Sequence, residues 1–517
     1  MKLTILSTSD VHGYLYPTNY SHRTDKEDYG FLKVATKIDQ IKTQADADEW
    51  VITIENGDFI QGSPLTYFTA KKQAKYRSIY SQLTNAVGYD AGILGNHEFN
   101  YGLPYLQQCE AKRNYPILAA NLKENTGDGV IDAPYKILTH GGVKVGILGL
   151  TTQYIPHWEQ KEHIVGWQFE SAVKAAKKWV PILRKQVDVV IVAYHGGFEC
   201  DLATGNPSER LTGENEGYQL LSEVHGIDAL VTGHQHREIA TICQGVPTTQ
   251  PGEKGKYIGA IELELNEHQK VEKQLAHLIS VADVVPASKF EKLTTTLQTK
   301  VENWLDEPMG KVAGNMKITD PMKARMYGHP YLTFINQVQM AATQTDLSAT
   351  ALFNDEVLGY DSTVTMRNIV NSYVYPNTLV VSEITGTDLK QALERCASFF
   401  ALNSNGKVTV SKKFREPKMQ YYNYDIYSGI NYAFDLNKPA NERLIALSYH
   451  GKPVQDDQKL EIVLNQYRGI GGGDYSMFQA NKIVREVQID MTELISDYFA
   501  KHPVVQAIDE GNFYLKK

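Results

Sequence analysis

The first half of the chain repeats one pattern of apolar and polar positions. A short β-rich apolar run gives way to a polar or glycine-bearing turn, and a longer amphipathic stretch follows. The runs are "LTIL" at Leu3, "VITI" at Val51, "AGIL" at Ala91, "KVGILGL" at Lys144, "VDVVIVAY" at Val187 and "IDALVTG" at Ile227. Such runs, β-branched and bounded by turns, predict strands buried on both faces of a sheet with helices between them. The first half therefore reads as an α/β layered domain.

Around Pro286 the texture changes. In "SKFEKLTTTLQTKVENWLDEP", Phe290, Leu293, Leu297, Val301, Trp304 and Leu305 recur at spacings of three and four, which predicts one apolar helix face. Ser288 with Glu291 fits a capping box, and Pro308 marks the exit. From about Gly310 the chain is richer in tyrosine and glycine turns, as in "YYNYDIYSGINYAFD" and "YRGIGGGDYSMF", and reads as a mixed α+β domain. The helix fits an interdomain connector or an ordinary surface helix of one domain; as a connector it divides the chain into a first domain over 1–285, a connecting helix over 286–308 and a second domain over 309–517.

Composition narrows the function classes. The 517 residues are 42% hydrophobic and 22% charged, ordinary globular usage and too long for a single core. A formal net charge of -8, with no block of basic residues, argues against gripping polymeric nucleic acid by its phosphates. Cys109, Cys200, Cys243 and Cys396 form no C-x-x-C pair, so thiolate-held zinc is not expected. The opening "MKLTILSTSD" lacks the apolar core of a signal peptide and no run long enough to span a membrane occurs. The expectation is a cytoplasmic protein without a membrane partner, unless an export signal once preceded Met1. The sequence carries no signal of oligomeric state.

The chemistry gathers where the apolar runs end. After "LTILSTS" comes Asp10-Val-His12, after "VITIEN" comes Gly57-Asp58, and after "AGIL" comes Gly95-Asn96-His97-Glu98. His195-Gly-Gly follows "VIVAY", and Gly233-His234-Gln-His236 follows "ALVT". In open α/β sheets the carboxyl ends of the strands form the edge where ligands bind. Five segments would thus deliver three side-chain oxygens (Asp10, Asp58, Asn96) and four imidazoles (His12, His195, His234, His236) to one edge. Mixed carboxylate and imidazole ligation suits Mn, Zn, Fe, Co or Ni, and does not discriminate among them. Seven ligands are too many for one ion and enough for two if a carboxylate bridges. His22, His140, His157, His163 and His225 follow no such run and are assigned no chemistry.

These blocks, "DVHG", "GDFIQGSP", "GNHEFN", "HGG" and "GHQH", resemble in order and spacing the five-block signature of calcineurin-like metallophosphoesterases. The second half resembles the C-terminal substrate domain of the 5'-nucleotidase superfamily. The resemblance implies a four-layer α/β/β/α N-terminal domain, a connecting helix and an α+β C-terminal domain. It implies one divalent metal on Asp10, His12, Asp58 and His236, and a second on Asp58, Asn96, His195 and His234. His97 would face the phosphate, with position 100 orienting it; relatives that have Asp there supply a charge that Asn100 cannot.

Within the superfamily, "GNHEFNYGL", "YVYPNTL" and "NQYRGIGGGDYS" resemble the 2',3'-cyclic-nucleotide 2'-phosphodiesterase/3'-nucleotidases. Relatives acting on 5'-nucleotides often end the third block in Asp and carry Gln where His236 stands. Tyr375 and Tyr467 would sandwich the base, with Arg468 and Asp474 nearby in the glycine-rich loop. The expected substrate is a small nucleotide: a 2',3'-cyclic nucleotide opened to the 3'-nucleotide, which then loses its phosphate. The alternatives are a 5'-nucleotidase or UDP-sugar hydrolase on the same scaffold and, more remotely, a non-catalytic nucleotide-binding protein.

Overall fold

The computed structural model describes all of the chain except residues 125–128, 158, 210, 374–376, 417 and 488. The chain divides into two compact units, Met1–Glu302 and Asn303–Lys517.

The first unit is built on two sheets. One has the strand order Val271–Ser280, Tyr257–Leu265, Lys2–Thr8, Glu49–Glu55, Ala91–Gly92. The other runs Glu238–Cys243, Val246–Pro251, Ala229–Val231, Val189–His195, Val143–Thr151, Tyr135–His140. Apolar side chains of both sheets, among them Ile5, Ile54, Ile147, Ile191, Val231 and Ile261, share one buried cluster, so the sheets lie face to face. A second cluster on the far side of the second sheet takes in the apolar stripe of helix Ala172–Arg184. Helix Phe31–Gln44 belongs to the first sheet's other side: Lys42 Nζ donates to Thr53 Oγ1 of strand Glu49–Glu55 at 3.0 Å. This is the four-layer α/β/β/α arrangement.

The runs at Leu3, Val51, Lys144, Val187 and Ile227 lie on the parallel strands as expected, with two adjustments. "AGIL" contributes only Ala91–Gly92 as strand. The runs divide between two sheets: Lys2–Thr8, Glu49–Glu55 and Ala91–Gly92 pair in parallel in one, and Val143–Thr151, Val189–His195 and Ala229–Val231 in the other. The edge expected from one sheet is therefore made by the carboxyl ends of two.

The amphipathic run after Pro286 forms helix Ser288–Leu305. Phe290, Leu297, Val301, Trp304 and Leu305 are buried, but Leu293 is exposed. Ser288 is the first helical residue and not the cap, because the amides of Phe290 and Glu291 both donate to the carbonyl of Ala287.

The second unit contains a five-stranded sheet ordered Asp425–Ser428, Ser348–Ala351, Lys459–Asn465, Leu379–Thr385, Ile483–Val487, and smaller sheets beside it. Helix Pro330–Thr343 packs against strand Ser348–Ala351, and the glycine-rich loop leaves the sheet at Asn465. All four cysteines are free and buried. Among the described residues no helix is long and apolar enough to cross a membrane.

Candidate metal centre

The turns that leave the strands are unusually tight. Asp10, His12, Asp58, His234 and His236 all have φ between 52° and 69°, a left-handed conformation that costs free energy in non-glycine residues and clusters at functional sites. Asn96 does not share it, its φ being -76°. The glycines have a local cause. A Cβ on Gly57 would lie 2.4 Å from the Gly95 amide nitrogen, and one on Gly95 would lie 2.2 Å from Asp58 Oδ1. Only glycine lets these two neighbouring turns approach closely enough for their side chains to meet.

The seven expected ligands converge. His12 Nε2 is 3.0 Å from His236 Nε2, which is 3.5 Å from Asp10 Oδ1. His195 Nε2 is 3.2 Å from Asp58 Oδ2, and His234 Nδ1 is 2.8 Å from Asn96 Oδ1. Asp10, His12 and His236 form one group of close donor atoms, and Asp58, His195 and His234 another. A third group joins His12, Asp58 and His97, so Asp58 belongs to two.

Each imidazole is held from behind. His12 Nδ1 lies 3.0 Å from the Gln61 carbonyl oxygen and His195 Nδ1 lies 2.6 Å from that of Asn56. A carbonyl only accepts, so both Nδ1 atoms carry protons and Nε2 is the nitrogen turned inward. His234 Nε2 meets Glu214 Oε1 at 3.0 Å, and His236 Nδ1 meets Glu253 Oε2 at 3.1 Å. Histidine ligands ordinarily donate their far N–H to a carboxylate or carbonyl in this way. The inward atoms are then lone pairs facing lone pairs: His12 against His236, His234 against Asn96.

The buried Asp58 Oδ2 and His195 Nε2 have no hydrogen-bond partner. Burial disfavours charge on His195, yet Asp58 and Asp10 outweigh it and push the imidazole up to about 10. Burial and the neighbouring His236 hold His12 down at about 4. Burial opposes ionisation of Asp58 too, but His195 and His97 hold its carboxyl well below the usual range. A ring of acceptors that attracts positive charge so strongly fits divalent cations.

The third block carries two further side chains. His97 donates its backbone N–H to Asp58 Oδ1 at 2.8 Å, and its Nδ1 lies 2.6 Å from Asn100 Oδ1, the contact expected for position 100. Glu98, quoted in the motif but given no role by the sequence, is buried and ties the turns together. Its carboxylate accepts from the amides of Asp58 at 2.8 Å, Phe59 at 2.7 Å, Ile60 at 3.3 Å and Gly95 at 2.6 Å. Glu214 and Glu253 were also missed; neither stands in a block, and only the fold brings them to the histidines.

In the second unit, Tyr375 lies outside the described residues. Tyr467 is half-buried at the start of the glycine-rich loop, with Gly472 seated so closely that a Cβ there would meet the ring at 2.6 Å. Arg468 is turned inward. It is 1% exposed, Nε donates to Asp425 Oδ2 at 2.7 Å, and Nη2 donates to Asp425 Oδ1 and the Tyr422 carbonyl. Nη1 donates to the carbonyl of Gly472. A guanidinium engaged in this way holds the loop. Asp474 is half-exposed in a left-handed turn and pairs with Arg395 at 3.6 Å and Lys413 at 3.3 Å.

Comparison with known proteins agrees with this arrangement. Residues 3–238 match the calcineurin-like phosphoesterase family, and residues 311–480 match the 5'-nucleotidase C-terminal domain. A crystal structure of a Staphylococcus aureus protein provisionally named 5'-nucleotidase, in complex with alpha-ketoglutarate, is 36% identical over 100% of both chains, with a TM-score of 0.92. The Yersinia enterocolitica 2',3'-cyclic-nucleotide 2'-phosphodiesterase/3'-nucleotidase is 28% identical over 91% of this chain and 81% of its own length. The trifunctional nucleotide phosphoesterase protein YfkN of Bacillus subtilis is 28% identical over 99% of this chain. The chain spans 38% of that relative's length.

Proposed function

The chain belongs to the calcineurin-like phosphoesterases that carry a 5'-nucleotidase C-terminal domain, and from that footing we propose that it hydrolyses 2',3'-cyclic nucleotides to 3'-nucleotides and then to nucleosides and phosphate. The observation that carries the hydrolytic reading is the ring of inward lone pairs around Asp58, each imidazole backed by an acceptor. Asp10, His12, Asp58 and His236 would hold one divalent ion, and Asp58, Asn96, His195 and His234 a second. Such a pair supplies charge neutralisation for the phosphoryl oxygens and an activated water nucleophile.

The remaining work falls to the chain's own side chains. His97, with Nδ1–H directed at Asn100 Oδ1, leaves Nε2 to hold or deliver a proton at the departing ribose oxygen, a contribution typically worth roughly 10² to 10⁴ in rate. Glu214 and Glu253 keep His234 and His236 turned inward. Support for the cyclic-nucleotide substrate comes from Asn100 and His236, where relatives acting on 5'-nucleotides often carry Asp and Gln, and from the Yersinia relative.

The direct test is a panel of 2',3'-cAMP, 3'-AMP, 5'-AMP and UDP-glucose with Mn²⁺. The first two are expected to dominate kcat/KM. Preference for 5'-AMP or UDP-glucose would move the assignment to the 5'-nucleotidase side, which the name of the Staphylococcus relative favours. Nucleotide binding without turnover of any of the four would leave a binding protein.

In the second unit, Tyr467 offers an aromatic face for the base, with Tyr375 as its expected partner. One base-aromatic stack is worth about 1 to 3 kcal/mol. Tyr467→Ala is therefore expected to raise KM for 3'-AMP by roughly 5- to 100-fold. KM for bis-p-nitrophenyl phosphate should move far less, and equal changes on both substrates would remove Tyr467 from the base site.

A further inference from the structure

Asn100 poses a problem that the structure resolves one residue further out. An amide beside His97 can present either its oxygen or its nitrogen, since the two ends are nearly the same shape. Here the choice is fixed. Asn100 Nδ2 donates to Glu159 Oε2 at 2.6 Å, which turns Oδ1 to His97 Nδ1, also at 2.6 Å. Glu159 is itself anchored: its Oε1 accepts from the Gln160 amide at 2.9 Å and lies 2.8 Å from His163 Nδ1. The Glu159 side chain is 5% exposed and that of His163 is 22% exposed, so the chain of contacts runs through the protein and not across its surface.

The fold explains how Glu159 arrives there. It follows strand Val143–Thr151, whose last residue pairs in parallel register with His195, so its loop leaves the same end of the second sheet as a metal-ligand candidate. The Glu159 amide donates to the Ile155 carbonyl at 3.0 Å, closing a turn that sends the side chain back toward Asn100. His163, which follows no strand-like run, enters through this carboxylate.

We propose that Glu159 is the positioning residue for His97, acting through the Asn100 amide, with His163 fixing the outer side of the carboxylate. The role rests on reading this centre as a phosphoester hydrolase in which His97 serves the leaving group. An ionised carboxylate accepts only, so it holds the amide in one orientation and thereby holds the proton on His97 Nδ1. Gln at 159 could face the Asn100 amide with either end, and the orientation would no longer be imposed. The geometry also accounts for the missing acid at position 100: a second carboxylate there would sit against Glu159.

The test moves the charge. Glu159→Gln is expected to lower kcat on 3'-AMP by roughly 10- to 100-fold, the usual cost of an outer partner, with KM within about two-fold. The loss on bis-p-nitrophenyl phosphate, whose leaving group needs no proton, should be about ten-fold smaller. Asn100→Asp alone should also be impaired, because it places like charges in contact. The double variant Asn100→Asp/Glu159→Gln should recover kcat to within about three-fold of the parent, since an Asp can accept directly from His97 Nδ1 while the Gln amide donates to it.

A second measurement does not depend on turnover. Histidine ¹⁵N NMR of the Zn²⁺-loaded full chain should show His97 protonated at Nδ1 in the parent, mixed in Glu159→Gln and restored in the double variant. A double variant no better than either single one, or a His97 signature unmoved by Glu159→Gln, would overturn the positioning role. Failure of the parent on every nucleotide would instead strike the proposed function, and the NMR signature would still decide the role of Glu159.

Discussion

Asp58→Asn is expected to reduce kcat/KM on every phosphoester substrate by about 10³-fold or more, with loss of bound divalent metal. The size follows from where the carboxylate sits. It is 1% exposed, its Oδ2 has no hydrogen-bond partner, and it belongs to two of the three groups of close donor atoms. Removing one preorganised donor from an active site typically costs roughly 10² to 10³ in kcat. Asp58 would serve both ions, so its loss should exceed that range.

An asparagine keeps the volume and can still accept the His97 amide through Oδ1. Its Nδ2 then takes the place of the other oxygen, opposite His195 Nε2, and an amide NH₂ has no lone pair for a cation; in either orientation the negative charge is gone. Elemental analysis should therefore show less than two equivalents of metal per chain after exhaustive loading, while far-ultraviolet circular dichroism stays that of the parent. Full metal content with kcat/KM within ten-fold would mean that Asp58 does not join two ions.

What could be read in advance divides along physical lines. The parallel strands were legible because burial on both faces makes continuous apolar runs, as at Val189–His195, where every residue is buried. Strand Val271–Ser280 was not, since most of its residues are only partly buried and its pattern is mixed. The ligand-type side chains were legible because each follows an apolar run. The division of those runs between two sheets was not, because a run records burial and not its neighbour. Backbone acceptors such as the carbonyls of Asn56 and Gln61 have no residue type to betray them. Glu159 and Glu214 sit in loops distant in sequence from the histidines they serve, Glu159 through Asn100 and Glu214 directly. The partner of Arg468 was not legible either: an arginine in a glycine-rich loop looks available, and Asp425, far away in sequence, takes it.

Glu98 is the residue the motif displayed without explaining, and Glu98→Gln is expected to be the most destabilising conservative change at the centre. One oxygen accepts from Phe59 and Ile60, the other from Asp58 and Gly95, so a single carboxylate joins the turns that carry Asp58 and Asn96. Burial and the nearby Asp58 carboxylate push Glu98 up from the ordinary glutamate value, and the backbone amides work against that push. In glutamine one oxygen becomes NH₂, which faces two backbone N–H donors and can accept from neither. Hydrogen bonds to a charged acceptor contribute roughly 1.5 to 3 kcal/mol each, and the stranded amides add their desolvation penalty.

A loss of about 3 to 6 kcal/mol is thus expected, a large share of the 5 to 15 kcal/mol or so that holds a typical domain together. At roughly 2 to 4 °C per kcal/mol, Tm of the metal-free chain should fall by about 6 °C or more. Metal affinity should drop by roughly 10- to 100-fold, because Asp58 and Asn96 are no longer held in register. Saturating Mn²⁺ should then recover part of the lost Tm, as any ligand of the native state does. A Tm within about 2 °C of the parent, with unchanged metal affinity, would show that the turns hold their shape without this carboxylate. Loss of Tm with parental metal affinity would make Glu98 a support of the fold alone.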